Sequence, residues 1–343
     1  MNTKLVIAIV SLAGCVPMGN GVWNGASYGG TSTSAPQQGQ AANTVRAPEN
    51  LTAIGAAKSL ARLTTDEAQE IRPMLDADGK KLLAVSWRDE VVDGVATGAT
   101  IDQMIVGLRP DGRGRTPYSR RGAAHSPAWL PGGKFIYVSN AMGTWQLVRA
   151  AKAQPGSAVS VIVRADDAPG LSSLSASRDG SLIAFQTTVR DVLTIGTVHP
   201  DGSELMMLTE GANPKISPDG KRIVFERPVN GVWHIFTMDT DGGDLTQVTE
   251  GDSTEGSADW SPDGKWLVYA SNAGYQRFPN GAGDTTWNLF AIHPDGTGAT
   301  QLTDGPRKST DPCWGADGWV YFASNEAGNF DLWRVKVPAA SLD

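Results

Sequence analysis

Cysteine is scarce in this chain. Two residues of 343, Cys15 and Cys313, cannot build a disulfide framework or a multi-cysteine zinc site. Long apolar runs are missing as well: the stretch from Leu5 to Ala13 falls far short of the ~20 residues that a spanning helix needs. Basic residues number 29 against 36 acidic ones, for a net charge of −7, and no Lys/Arg run forms a phosphate-neutralising patch. Nucleic acid is therefore not an expected partner. There is no Gly-x-Ser-x-Gly elbow, no His-Glu-x-x-His and no Gly-x-x-x-x-Gly-Lys-Ser/Thr. These absences remove the usual signatures of catalytic residues, and no cofactor or metal is expected. What is abundant is glycine and proline, 40 and 20 residues, well above the ~12% that ordinary chains devote to the two together. With apolar residues at 40%, this implies many turns around a real core.

The turns are periodic. Asn213-Pro-Lys-Ile-Ser-Pro-Asp-Gly-Lys-Arg-Ile-Val-Phe225 and Ala258-Asp-Trp-Ser-Pro-Asp-Gly-Lys-Trp-Leu-Val-Tyr269 are the clearest copies of a repeat, and Pro312 to Phe322 is a shortened third. Weaker copies begin at Pro73, Pro127 and Ser175. The turn glycines stand at 79, 133, 180, 220, 264 and 318, separated by 54, 47, 40, 44 and 54 residues. That is close to the ~40–50 period of a propeller blade, so six copies predict six blades.

In each copy a short strand runs into Ser-Pro-Asp-Gly, where Pro fixes φ and Gly accepts a positive φ, and an alternating apolar strand follows. A third strand, such as Trp233–Asp239 or Asn288–His293, leads to a second Asp-Gly turn at 111–112, 201–202, 241–242 or 295–296. Fourth strands are expected at Leu205–Thr209, Leu245–Thr249 and Thr300–Thr303. The last blade, ending at Asp331–Val337, has no fourth strand, while Leu60–Thr64 fits that pattern and has no partners before it. The fold class is thus all-β: a six-bladed propeller of four-stranded blades, its ring closed by an N-terminal strand, which avoids exposed sheet edges.

Across roughly Leu60 to Val337 these residues make the chain resemble the TolB-type WD40-like propellers. The resemblance does not extend to the α/β domain that precedes the propeller in that family, and a linker is expected in its place. The resemblance implies a periplasmic protein that binds envelope proteins, notably an OmpA-like peptidoglycan-associated lipoprotein. The N-terminus, with Lys4, the apolar run and Leu12-Ala-Gly-Cys15, resembles a bacterial lipoprotein signal peptide with its lipobox. This implies cleavage before Cys15, lipidation of Cys15 and contact with the membrane through the lipid anchor alone. Val16 replaces the aspartate that retains enteric lipoproteins at the inner membrane, which implies the outer membrane, at its periplasmic face or at the cell surface. The expected organisation is a signal peptide over 1–14, a lipidated cysteine and flexible linker over 15–57, and the propeller over 58–343. The linker is rich in Gly, Ser, Thr, Ala and Gln and spans about 30–35 Å as a coil. Trp23 and Tyr28 are its only aromatic residues.

His199 and His293 share a repeat position beside the second Asp-Gly turn and read as blade features, and His234 reads as a packed strand residue. His125, near Arg120 and Arg121, has no assigned role. Asp259, Asp311 and Glu255 are the scattered carboxylates that a metal-assisted lyase or lactonase could gather at the channel, the alternative function. Asp78, Asp179, Asp219, Asp263 and Asp317 read as turn residues, Trp129, Trp260 and Trp314 as packing between blades, and Cys313 as a small buried apolar residue. The tight Asp-Gly turns fall on one face of the disc. Long loops over Arg88–Thr100, Asn140–Thr144 and Asn272–Thr286 share the other with the connections between blades. Loops carry function more often than scaffolds do, and Tyr275, Arg277 and Phe278, joined by Arg307, Lys308, Arg88 and Trp87, are the expected partner-binding patch. The function these readings imply is a non-catalytic protein-binding scaffold of the cell envelope.

Overall fold

Six Asp-Gly or Gly-Gly turns reverse the chain and set six radial sheets around one axis. The glycine closing each first turn has φ between 69° and 74° at Gly79, Gly133, Gly180, Gly220, Gly264 and Gly318, a conformation that L side chains adopt only with strain. The structure is a computed structural model, and it describes residues 52–53, 59–92, 95–120, 124–273 and 286–337.

The first blade is built from Gln69–Leu75, Leu82–Val92, Val95–Leu108 and Thr116–Pro117, and the second from Ala124–Leu130, Lys134–Ser139, Gln146–Ala150 and Val159–Arg164. Ser172–Ala176, Ile183–Val189, Val192–Val198 and Met206–Glu210 form the third. The fourth comprises Ala212–Ile216, Arg222–Val229, Val232–Asp239 and Thr246–Gln247, and the fifth Glu255–Trp260, Leu267–Ser271, Asn288–Ile292 and Thr300–Gln301. In the sixth, Ser309–Trp314, Trp319–Ser324 and Asp331–Lys336 are completed by Ser59–Arg62, with Leu60 opposite Val335. The N-terminal strand therefore closes the ring, as the orphan fourth-strand pattern predicts. A further two-residue ladder joins Thr52–Ala53 to Thr303–Asp304.

The core lies between blades. Trp266, Leu289, Trp314 and Phe322 pack where the fifth blade meets the sixth, and Leu130, Leu147, Leu174 and Phe185 where the second meets the third. The repeat tryptophans cross these seams. Trp129 Nε1 donates to Met74 O at 2.9 Å and Trp260 Nε1 to Lys215 O at 3.0 Å, so each buries a large ring and satisfies its polar atom on the preceding blade. In the first turns, Ser177, Ser217 and Ser261 each donate to the aspartate two residues on at 2.6 Å. Asp179, Asp219, Asp263 and Asp317, which accepts the Trp319 N–H, are spent on their turns, as the repeat position implies, whereas in the first blade Asp76 accepts the turn N–H groups and Asp78 faces Lys80 on the surface.

One loop departs from expectation. Residues 88–92 and 95–100 are not irregular; they extend the second and third strands of the first blade into a long hairpin, with Val92 opposite Val95. Among the described residues no helix is long and apolar enough to cross a membrane.

Candidate functional site

Each innermost strand carries the same irregularity. Its pairing with the second strand shifts register at Ile71/Met74, His125/Ala128, Ser172/Ser175, Ala212/Lys215, Gly256/Asp259 and Thr310/Cys313. At each shift one non-glycine residue takes a left-handed φ near 50°: Arg72, Ser126, Ser173, Asn213, Ser257 and Asp311. A bulge re-aims a side chain, and six in register form a polar ring on the axis.

The ring's members bond to one another. Arg72 Nη1 donates to Ser126 Oγ at 2.9 Å and to Ser173 Oγ at 3.2 Å, while the Ser173 hydroxyl donates to Asn213 Oδ1 at 2.6 Å. Asn213 Nδ2 donates to Glu226 Oε1 at 2.8 Å, and the same oxygen accepts the Ser257 backbone N–H. Ser257 Oγ meets Asp311 Oδ1 at 3.5 Å, and Asp311 lies 4.0 Å from the Arg72 guanidinium. Burial pushes the Glu226 carboxyl up to about 7, against the hydrogen bonds from Ser257 and Asn213 that pull it down.

Toward the face of the first turns the axis widens into a funnel of about 290 Å³, whereas at the ring the space narrows to about 40 Å³. The funnel wall just outside the ring is made by the residue two positions further along each inner strand: Met74, Ala128, Ser175, Lys215, Asp259 and Cys313. Asp259 accepts the Trp314 backbone N–H at 2.9 Å, and burial raises its carboxyl above the ordinary range. The Cys313 thiol is pushed up to about 12 by burial, which makes it a poor nucleophile.

The histidines are held elsewhere. His125 is 4% exposed, meets Ser126 Oγ through Nδ1 at 3.0 Å, and is driven down to about 3 by burial, so it is neutral. His234 pairs with Glu255 at 2.9 Å across the seam between the fourth and fifth blades. His199 lies 3.5 Å from Glu204 on the surface, and His293 stacks on Trp266 with centroids 3.6 Å apart. Both sit beside their Asp-Gly turns, as their repeat position predicts. Among the described residues no three His, Cys, Asp or Glu side chains gather into a cation site.

Of the expected patch, Tyr275, Arg277 and Phe278 lie outside the described residues, as do Cys15, Trp23, Tyr28 and Arg121. Arg88 and Arg307 are exposed on the face of the connections. Trp87 and Lys308 are not surface residues. Trp87 is 3% exposed and packs with Val85, Ala124 and Tyr137, because the hairpin continues the strand alternation through it; Lys308 is 8% exposed beneath the connection into the sixth blade. The funnel opens on the opposite face from this patch. The ring escaped the reading of the sequence, although Arg72, Ser126, Asn213 and Asp311 each precede a proline, a signal for non-helical backbone recurring in register.

No family model matches the chain. An uncharacterised protein of Agrobacterium fabrum, Atu1656, is 32% identical over 85 residues, 24% of this chain and 26% of that protein. Dipeptidyl-peptidase 5 of Porphyromonas gingivalis is 41% identical over 74 residues, 21% of this chain and 10% of the peptidase. The chain thus matches only a minor part of either relative's length. Among solved structures, TolB from Acinetobacter baumannii aligns with a TM-score of 0.54 at 16% identity, covering 75% of this chain and 63% of TolB. A gluconolactonase from Xanthomonas campestris aligns with a TM-score of 0.58 at 16% identity over 87% and 98% of the two chains. An oligogalacturonate lyase from Vibrio parahaemolyticus gives 0.52 at 14% identity over 85% and 98%. These likenesses establish the fold: the protein is a six-bladed β-propeller of four-stranded blades, a fold it shares with TolB and with propeller enzymes alike.

Proposed function

We propose that this chain is an outer-membrane lipoprotein, anchored through Cys15, whose propeller is a non-catalytic protein-binding scaffold of the bacterial cell envelope, with an OmpA-like peptidoglycan-associated protein as the kind of partner. The observation that carries this reading is the axial ring. Its polar groups, from Arg72 round to Asp311, are bonded to one another rather than converging on a reacting atom. A catalytic site needs a nucleophile, acid or base poised toward substrate. Here the two buried histidines are bonded to Ser126 and Glu255, and the Cys313 thiol is held protonated. What remains is a constricted receptacle of a size for a short segment of a partner. The alternative, a metal-assisted lyase or lactonase, takes support from the enzymes that share the fold, but its donor set is not assembled among the described residues.

A photo-crosslinking amino acid placed at Ala77 or Ala316, exposed on the funnel rim, is expected to capture a defined envelope protein in intact cells, and the same probe at Arg88 or Arg307 locates any contact on the opposite face. Labelling with radioactive palmitate, lost in Cys15→Ser, tests the anchor. Turnover of a lactone or polyuronate that is abolished by chelator would overturn the scaffold reading. Capture on the connection face alone, lost in Tyr275→Ala with Arg277→Ala, would move the docking surface to that patch.

A further inference from the structure

Two donors face each other across one seam of the funnel. Lys215 on the fourth blade and Ser175 on the third occupy the same register position, two residues beyond their bulges, and both line the cavity. Among the described residues the Lys215 ammonium has no acceptor at hydrogen-bond distance; its charge acts on the Asp259 carboxylate of the next blade without forming a direct ion pair. Ser175 is 6% exposed; its oxygen accepts the Ile216 backbone N–H at 3.0 Å, which leaves the hydroxyl proton to donate elsewhere. A half-buried ammonium whose hydrogen-bond donors lack a direct acceptor gains from a ligand anion that supplies one. The charge required is small. Asp259 stands on the next blade at the same position, and Asp76 and Asp78 lie on the rim, so a dianion such as phosphate meets repulsion where a single carboxylate does not. The opposite wall, Met74 and Cys313, is uncharged and suits a short uncharged arm behind that carboxylate.

We propose that the funnel is a receptor for a carboxylate at the end of a peptide chain, one oxygen taken by the Lys215 ammonium and the other by the Ser175 hydroxyl. This rests on the scaffold reading and names what the scaffold holds. The acyl arm lies along Met74 and Cys313, and the Arg72 ring sets the depth of insertion.

The test is calorimetric titration of the full propeller with N-acetyl-trialanine bearing a free carboxylate, with its C-terminal amide, and with sodium acetate. The free acid is expected to bind at least tenfold more tightly than the amide or acetate. Lys215→Met, close in volume, is expected to lose that preference while keeping its circular dichroism and melting temperature, and Lys215→Arg to retain it within about threefold. Ser175→Ala should weaken the acid and leave the amide unchanged. Equal affinity for acid and amide, binding of neither, or a preference that survives Lys215→Met would overturn the proposal. Acetate binding as tightly as the peptide acid would overturn the chain-end assignment in favour of a free small carboxylate. If rim crosslinking to an envelope protein persists undiminished in Lys215→Met while the peptide experiment fails, the scaffold reading stands and the carboxylate receptor does not.

Discussion

Six left-handed residues on one axis impose a local cost. A non-glycine residue at φ near 50° is strained by about 1 kcal/mol, and Arg72, Ser126, Ser173, Asn213, Ser257 and Asp311 all bear it. The hydrogen bonds of the ring offset that strain unevenly. Ser257 uses its backbone N–H on Glu226, while its hydroxyl makes only the 3.5 Å contact to Asp311. Ser257→Gly is therefore expected to leave stability unchanged or raise it by up to about 1 kcal/mol, and Ser257→Val to lower it by about 2 kcal/mol, measured by urea unfolding. Glu226→Ala is the opposite case. It leaves the Asn213 amide and the Ser257 N–H without their acceptor, and a loss of about 2–4 kcal/mol is expected in the same assay. At this scale the sequence is only partly readable. Lys215 stands plainly in the clearest repeat copy, but its inward direction depends on a bulge, and a bulge changes the parity of a strand in a way that alternation alone does not reveal.

Elements were more legible than residues, because a blade is specified by its turns and a turn by local chemistry. The closing strand is the best instance: Leu60–Thr64 matched the fourth-strand pattern, and Ser59–Arg62 pairs along Trp333–Lys336. It is anchored by an ion pair, Arg62 Nη2 to Asp331 Oδ2 at 2.6 Å, with Asp331 wholly buried and Arg62 partly exposed. Arg62→Ala leaves that carboxylate uncompensated, and a loss of about 2 kcal/mol is expected, reduced from the cost of a fully buried pair because solvent reaches the arginine. Adding Asp331→Asn should restore most of it, which a double-mutant cycle by urea denaturation would measure. The extended hairpin of the first blade was missed for a different reason. Its residues are charged and read as a loop, yet the Asp93-Gly94 dipeptide between Val92 and Val95 carries the ordinary two-residue hairpin signal.

Across the whole molecule, buried carboxylates set the response to pH. Glu70 and Glu226 are raised to about 7, and Asp331 to about 6, burial being the leading cause in each. A carboxyl whose folded value lies above its unfolded one binds its proton more tightly in the native state. Its contribution is fully present below the unfolded value near 4.5 for the glutamates, and is lost as pH rises through the folded value. Stability should therefore fall between about pH 4.5 and pH 7, by on the order of 3 kcal/mol for each glutamate. The turn aspartates act in the other direction: hydrogen bonds from Ser177 and Ser181 hold Asp179 down at about 2, so its contribution is lost only in stronger acid. Urea midpoints measured from pH 4 to pH 8 should decline toward neutrality, and Glu226→Gln should flatten the slope. A constant midpoint across that range would contradict the burial of these groups.

The order in which the chain joins the ring also has a mechanical meaning. Force applied through the N-terminal residues reaches the ladder of Thr52–Ala53 with Thr303–Asp304 before it reaches the closing strand at Ser59. Two residue pairs resist less than the four that follow, and the four are further secured by Arg62 and Asp331. The short ladder is thus a fuse in series with the seam: a pull on the N-terminus breaks it first, adds slack, and leaves the six blades closed.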